Sequence, residues 1–167
     1  MPEKETIERA RRDKREGKAP TTQAGEFIRE EMHHIREGKH GARSAKQAIA
    51  IGLSKARRAG VELPPPGKGE ASEKTRKSAK RAYERGQGAP PKSTPSAKRS
   101  RAVHRALERE GHEAASHTAL SRQAHRAAEK RTHAERSAAS RKAARTKGPG
   151  ERSAAARKAA KTRAQRS

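Results

Sequence analysis

The sequence predicts a mostly α-helical protein that has a small helical hairpin, extended basic helices and disordered linkers, and no large core. Leu, Ile, Val and Phe together number only 12 among 167 residues, while the net charge is +24. Chains of this composition bury too little apolar surface to offset the entropy lost on ordering. The few large apolar residues recur at helical spacing in one segment, and runs of Pro and Gly separate the remaining segments.

The first third of the chain contains the best candidate for packed structure. Residues 1–20 are predicted to be a charged N-terminal helix or arm, and residues 21–63 an αα-hairpin. Thr21 or Thr22 is predicted to cap its first helix, and Ser44 with Gln47 forms a capping-box pair at the second. The predicted hairpin core is Phe27, Ile28, Met32, Ile35, Ile49 and Leu53. So small a core predicts marginal stability, supported by a protein partner or by self-association.

The rest of the chain alternates basic helices with linkers. Residues 64–71 are predicted to be a Pro/Gly linker, 72–86 a basic helix, 87–95 a second linker, 96–134 an Ala-rich helical segment and 135–167 a duplicated basic tail. The duplication has a period of 16, because Glu135–Lys147 matches Glu151–Arg163 across a Gly148-Pro149-Gly150 junction. A period this short, with so few apolar residues, indicates a repeated basic segment rather than a solenoid.

The tail carries the strongest indication of function. From Arg136 to Ser167 there are eleven Lys and Arg residues and one acidic residue, Glu151. On a helix these cations surround the axis, which is typical of a polycation that contacts phosphates without reading base sequence. We therefore expect nonspecific nucleic-acid binding, with duplex DNA favoured and RNA as the other candidate. The predicted phosphate contacts are Lys98, Arg99, Arg101, Arg136, Arg141, Lys142, Arg145, Lys147, Arg152, Arg157, Lys158, Lys161 and Arg163.

Other classes of function find little support in the sequence. Phe27 and Tyr83 are the only aromatic residues, so platforms for stacking single-stranded bases are absent. The eight histidines lack the spacing of a metal site and are expected to be solvated, so neither a metal nor a cofactor is predicted. No catalytic residue or phosphate-binding loop is recognisable, so an enzyme is not expected. Membrane binding is not expected either, and the predicted location is the cytoplasm, in association with the nucleoid.

Two alternatives remain open at this point. The chain could be an interaction or stress protein that works through the 21–63 hairpin, in which case the tail only keeps it soluble. It could also be an RNA-binding or ribosome-associated factor, because the same charge suits either polyanion.

Several stretches resemble a bacterial family of small basic proteins of unknown function. They are Thr21–Phe27, Lys98–Val103 and, above all, the GKHGARSAKQAIAIGLS motif from Gly38 to Ser54. The tail is similar in composition to the Ala/Lys-rich ends of linker-histone-like bacterial proteins. The resemblance implies a bacterial, cytoplasmic, histone-like protein with no catalytic residues.

Overall fold

The computed structural model describes residues 2–90 and 96–165. The elements are α1 (Lys4–Arg15), α2 (Pro20–Arg36), α3 (Ala45–Arg58), α4 (Glu73–Gly86), α5 (Ala97–Glu108), a 3-10 turn (Glu113–Ala115), α6 (His117–Glu129) and α7 (His133–Ala164). The mostly α class predicted from the sequence is confirmed. The chain divides into two compact units, Met1–Gln123 and Ala124–Ser167, which are described separately below.

Helices α2 and α3 form the predicted hairpin, with different capping in detail. Helix α2 begins at Pro20, ahead of both predicted threonine caps, because proline suits the first turn of a helix, where its missing N–H has no intrahelical role. At α3 the Ser44 hydroxyl accepts a hydrogen bond from the backbone N–H of Gln47, as predicted. The Gln47 side chain accepts from the backbone N–H of Arg43 instead of closing the box on Ser44.

The two helices approach most closely at Gly52, which lies directly against the backbone of α2. A Cβ atom at this position would stand 2.8 Å from the Cα atom of Ile28, closer than real Cβ contacts allow. A backbone atom in a packed helix cannot move aside as the end of a flexible side chain can. The glycine therefore determines how closely α2 and α3 pack.

Gly52→Ala and Gly25→Ala are expected to change stability in opposite directions, although both glycines lie inside helices. A methyl group at Gly25 would have no neighbouring atom within 4 Å, so alanine there should stabilise by about 0.5–1 kcal/mol through its helix propensity. Gly52→Ala should destabilise by about 1–3 kcal/mol because it overpacks the crossing. Urea unfolding followed by circular dichroism measures the free energy of unfolding of both variants. Equal changes in the two variants would contradict the close approach of Gly52 to the backbone of α2.

The apolar residues form two small clusters rather than one large core. The first comprises Met32, Ile35, Ala42, Ala48, Ala114 and Ala115, with Ile28, Ile49 and Leu120 partly buried against it. The second comprises Ala10, Ala24, Phe27, Ala56 and Val61, with Ile7, Leu53 and Leu63 at its edge. Of the six predicted hairpin-core residues, three are therefore buried and three are partly buried.

Other parts of the chain cover the hairpin. Helix α1 contacts α2 and buries Thr6 and Ala10, while α4 contacts α3 and buries Ala79 and Ala82. The 3-10 turn contributes Ala114 and Ala115 to the first cluster. These neighbouring elements thus cover apolar residues of the hairpin that, from the sequence, were expected to need a protein partner or self-association.

The 64–71 segment is an ordered turn, which corrects the prediction of a disordered linker. The Glu70 carboxylate accepts a 2.6 Å hydrogen bond from the backbone N–H of Gly67, and the Arg76 guanidinium donates to the carbonyl of Pro66. These bonds give backbone groups in a Pro/Gly segment the local partners that regular structure would otherwise supply. In the second predicted linker, 87–95, residues 91–95 lie outside the described residues. Within its described part, the backbone N–H of Ala89 donates to the carbonyl of Glu84.

The loop between α2 and α3 holds the C-terminal end of α5. The backbone N–H of Gly41 donates to the Leu107 carbonyl at 2.8 Å, and that of Ala42 donates to the Gly111 carbonyl at 3.1 Å. A Cβ atom at position 41 would overlap the backbone carbonyl of Glu110, so only glycine fits this contact. Gly41 is therefore the position at which the end of α5 docks on this loop.

In the second unit, α7 consists of two helical segments that join at Gly148, where φ is +64°. Thr132 caps the first segment in a full capping box with Glu135. Sixteen residues later Gly148 precedes Pro149, and Glu151 occupies the position that corresponds to Glu135. The duplication therefore includes the helix start, with Pro at the first position of the second copy. No residue of α7 is buried.

Candidate nucleic-acid interface

The basic side chains of α7 are exposed along both copies of the repeat. Each copy contributes five cations at matching positions, and every one of them is exposed: Arg136, Arg141, Lys142, Arg145 and Lys147, then Arg152, Arg157, Lys158, Lys161 and Arg163. Arg141 donates to the Ser137 hydroxyl and Arg152 donates to the Gly148 carbonyl. Each guanidinium group has further N–H groups that can donate to another acceptor.

Leaving Arg163 aside, carboxylates of the described residues do not neutralise these cations. Leaving Arg163 aside, none of the α7 cations in the described stretch 124–165 lies within 4 Å of an acidic group. The Glu135 carboxylate is engaged in the helix cap, where it accepts from the backbone N–H of Thr132 at 2.7 Å and from its hydroxyl at 3.0 Å. These two bonds, backbone first, and the nearby positive charge of Arg131 lower the pKa of Glu135. The carboxylate is thus already engaged with the helix end.

Basic residues of the first unit have a different environment. Arg9 pairs with Glu26 at 2.7 Å, Lys14 with Glu62 at 2.7 Å, and Lys77 with Glu73 at 2.6 Å. Such pairs cancel much of the local field even where they add little stability. Other basic residues of both units are exposed without an acidic neighbour among the described residues, and some of them are grouped in short segments.

Helix α5 is one such segment. Lys98, Arg99 and Arg101 are exposed near its N-terminal end, and none of its residues is buried. The helix is held at the opposite end, through the Leu107 carbonyl. All thirteen predicted phosphate contacts are therefore exposed, three on α5 in the first unit and ten on α7 in the second.

A further basic site went unrecognised in the sequence. Arg58 at the end of α3 lines a cleft with Arg81 and Arg85 of α4, together with hydroxyl groups of Ser54 and Ser78. Arg58 donates a 2.7 Å hydrogen bond to the Ser54 hydroxyl, and no carboxylate among the described residues pairs with any of the three guanidinium groups. Partial desolvation in the cleft, and then the positive charge of Arg85, lowers the pKa of Arg58, although the residue as a whole is exposed.

The arginine cleft has the chemistry of an anion site, because guanidinium groups bind phosphate oxygens in a forked geometry. Only the i, i+4 spacing of Arg81 and Arg85 on one helix was readable from the sequence. Arg58 comes from a different helix, so its arrival at the same cleft depends on how α3 and α4 pack.

The histidines depart in part from the prediction that all eight are solvated. Six are exposed: His33, His104, His112, His117, His125 and His133. The side chains of His34 and His40 are only 12% and 14% exposed, because the loop after α2 folds back over that helix. One ligand atom from each of them and one from Glu31 lie within 4.8 Å of one another, so these residues could hold a metal ion.

The described helices include none with the length and apolar character needed to cross a membrane. Residues 15–68 match the model of a family of unknown function, DUF6496. The matched segment, about a third of the chain, extends from the end of α1 to the turn after α3 and is similar to this uncharacterised family. No curated protein matches the chain, and no solved structure does.

Proposed function

We propose that this protein binds nucleic acid, with duplex DNA favoured, by nonspecific contact between exposed cations and backbone phosphates. The observation that carries the proposal is the set of exposed α7 cations that, leaving Arg163 aside, have no acidic neighbour among the described residues. A field of this kind attracts a polyanion, and each phosphate that it neutralises releases a bound counterion.

The dimensions of the α7 repeat suit this role. The first helical segment of α7, residues 133–147, is about 22 Å long at about 1.5 Å per residue. Over that length duplex DNA carries about 13 phosphate charges, one per about 1.7 Å. Along this length five cations meet more phosphates than they can neutralise, so the supply of phosphates does not limit binding. The break at Gly148 divides the arm into two such segments.

The lack of base-reading chemistry supports nonspecific binding. Sequence readout requires side chains held at fixed positions against base edges, and such positions come from a docked and buried recognition element. Helix α7 has no buried residue to fix its rotation about its own axis. A histone-like association with the nucleoid of a bacterial cell is the biological setting that we propose for this activity.

The hairpin is covered by α1, α4 and the 3-10 turn. This cover favours nucleic-acid binding over the alternative in which the protein interacts with a partner through residues 21–63. Within residues 2–90 and 96–165, the large apolar side chain left exposed is Val103, which lies on α5 rather than on the hairpin. The apolar stripes of α2 and α3 therefore do not present a ready surface to a partner.

Fluorescence anisotropy with labelled duplexes of unrelated sequence tests the proposal. We expect log affinity to fall linearly with log salt, with a slope of about −0.9 for each phosphate neutralised, and little difference between sequences. A flat salt response would exclude the proposal. Competition with structured RNA, and crosslinking in cells followed by sequencing of the bound nucleic acid, determine whether DNA or RNA is the physiological polyanion.

A further inference from the structure

Glu31 is the most unusual charged residue of the first unit. Its side chain is 1% exposed, on the face of α2 that packs into the protein. Burying a carboxylate is costly unless other groups replace the water that it loses. Neither of its oxygens accepts a hydrogen bond of proper geometry from the described residues. The Lys55 ammonium nitrogen lies 2.6 Å from Oε2, at an angle outside that geometry.

The other carboxylate oxygen faces His40. The Nε2 atom of His40 is 3.2 Å from Oε1 of Glu31, while its Nδ1 atom is 3.1 Å from the backbone carbonyl of Gly41. A carbonyl only accepts, so Nδ1 carries a proton. Nε2 then either carries a second proton, which gives an imidazolium beside the carboxylate, or has a lone pair close to a carboxylate oxygen. Two acceptors this close together need a proton or a metal ion between them.

His34 lies three residues after Glu31 on α2 and is the third member of the group with Glu31 and His40. Its Nε2 atom lies 2.8 Å from Oε1 of Glu3, so when Nε2–H donates a hydrogen bond to this carboxylate, the other ring nitrogen of a neutral imidazole carries a lone pair. Histidines that bind metals are commonly oriented in this way, with one ring N–H donated to a carboxylate or a backbone carbonyl. Both imidazoles of the group have such an outer partner. Their rings are edge to face, with centroids 6.2 Å apart.

We propose that Glu31, His34 and His40 form a binding site for a divalent transition-metal ion, with Zn²⁺ as the best fit. Two imidazoles and one carboxylate are a donor set that Zn²⁺ takes readily, with a further coordination position left for water. A separation of up to 4.8 Å between ligand atoms is closed by small side-chain rotations. Lys55 stays on the opposite oxygen of Glu31 and leaves Oε1 to the metal.

Such a metal would connect α2 to the loop that follows it. His40 lies next to Gly41, whose backbone N–H holds the end of α5. An ion shared by α2 and this loop would therefore stabilise the attachment of α5, in a protein whose apolar clusters are small. The proposal does not depend on nucleic-acid binding.

Isothermal titration of the untagged, metal-free full chain with ZnCl₂, in the absence of nucleic acid, tests the site. We expect one site per chain in the wild type. His34→Gln and His40→Gln should each weaken it by about 100-fold or more, because even the loss of an outer partner of a metal ligand costs about 10–100-fold. His33→Gln is the matched control, since His33 neighbours His34 on α2 but is exposed, and it should leave the affinity unchanged.

Two further measurements keep the result unambiguous. Circular dichroism of the histidine variants shows whether the fold is retained, and the visible spectrum of bound Co²⁺ reports its ligands directly. The double variant H34Q/H40Q keeps the six exposed histidines, so a Zn²⁺ site that survives in it would place the metal elsewhere and overturn the proposal. A wild-type chain that binds Zn²⁺ no more tightly than this double variant would also overturn the proposal.

Discussion

Replacing Lys142, Arg145 and Lys147 with glutamine should make the salt dependence of DNA binding shallower by about 2.7 in log–log slope. The three side chains are exposed, and no described carboxylate lies near them. If each contacts one phosphate, each contributes about 0.9 to the slope. Glutamine keeps the length and helix propensity of the side chain close to those of lysine and arginine, so the helix itself should persist. Anisotropy titrations at several salt concentrations measure the effect.

A triple variant of the first unit provides a matched control. Lys14, Lys77 and Lys80 are also exposed lysines, but each lies within 4 Å of a glutamate. Their replacement by glutamine removes the same net charge from cations that already have acidic neighbours. The slope of this variant should stay close to that of the wild type. Equal slopes in the two triple variants would mean that only net charge matters and that α7 is not the interface.

Deletion of residues 136–167 extends the same test to the alternative functions. DNA affinity should collapse, because the deletion removes both copies of the repeat. An interaction protein that works through the hairpin would instead keep its partner after this deletion. Retention of DNA affinity by the truncated chain would move the interface to α5 and the arginine cleft.

Phe27→Ala should destabilise the first unit by about 3–5 kcal/mol. Phe27 is 1% exposed and is the largest side chain of the second apolar cluster, which brings α1, α2, α3 and Val61 together. Removing it leaves a cavity that the small neighbours Ala10, Ala24 and Ala56 cannot fill. Because small folds have only a narrow margin of stability, much of this unit should be unfolded at 37 °C. Urea unfolding monitored by circular dichroism gives the change.

Val103→Ala is the corresponding control for an apolar truncation. Val103 is 56% exposed on α5, so its loss should change the free energy of unfolding by less than about 0.5 kcal/mol. A similar loss for both variants would show that the second cluster does not hold the unit together. A Phe27→Ala variant whose free energy of unfolding is unchanged would contradict the burial of Phe27.

Local features of the fold were readable from the sequence because they depend on neighbouring residues. The spacing of apolar residues predicted α2 and α3, and the basic helix predicted at residues 72–86 corresponds to α4. The repeat predicted the two segments of α7 and the junction between them, since cap and proline rules operate over a single helical turn. The exposure of the tail followed from its lack of large apolar residues.

The stability of the hairpin was not readable in the same way. Treated alone, residues 21–63 lack sufficient apolar surface, which predicts a need for a partner. The structure covers them with α1, α4 and the 3-10 turn, using mainly alanines, which carry no strong signal in a sequence because they also occur on exposed helices. The ordered 64–71 turn was missed because its hydrogen bonds come from the side chains of Glu70 and Arg76.

Composition and local pattern thus determined the helical class, the basic arm and its duplication, because charge and helix propensity belong to each segment by itself. Only the tertiary structure decided which residues meet across segments. Arg58 joins Arg81 and Arg85 through the packing of α3 on α4, and His40 reaches Glu31 because its loop folds back over α2. Both sites combine residues whose separation along the chain carries no periodic signal, and their geometry depends on close approaches at Gly52, Gly86 and Gly41.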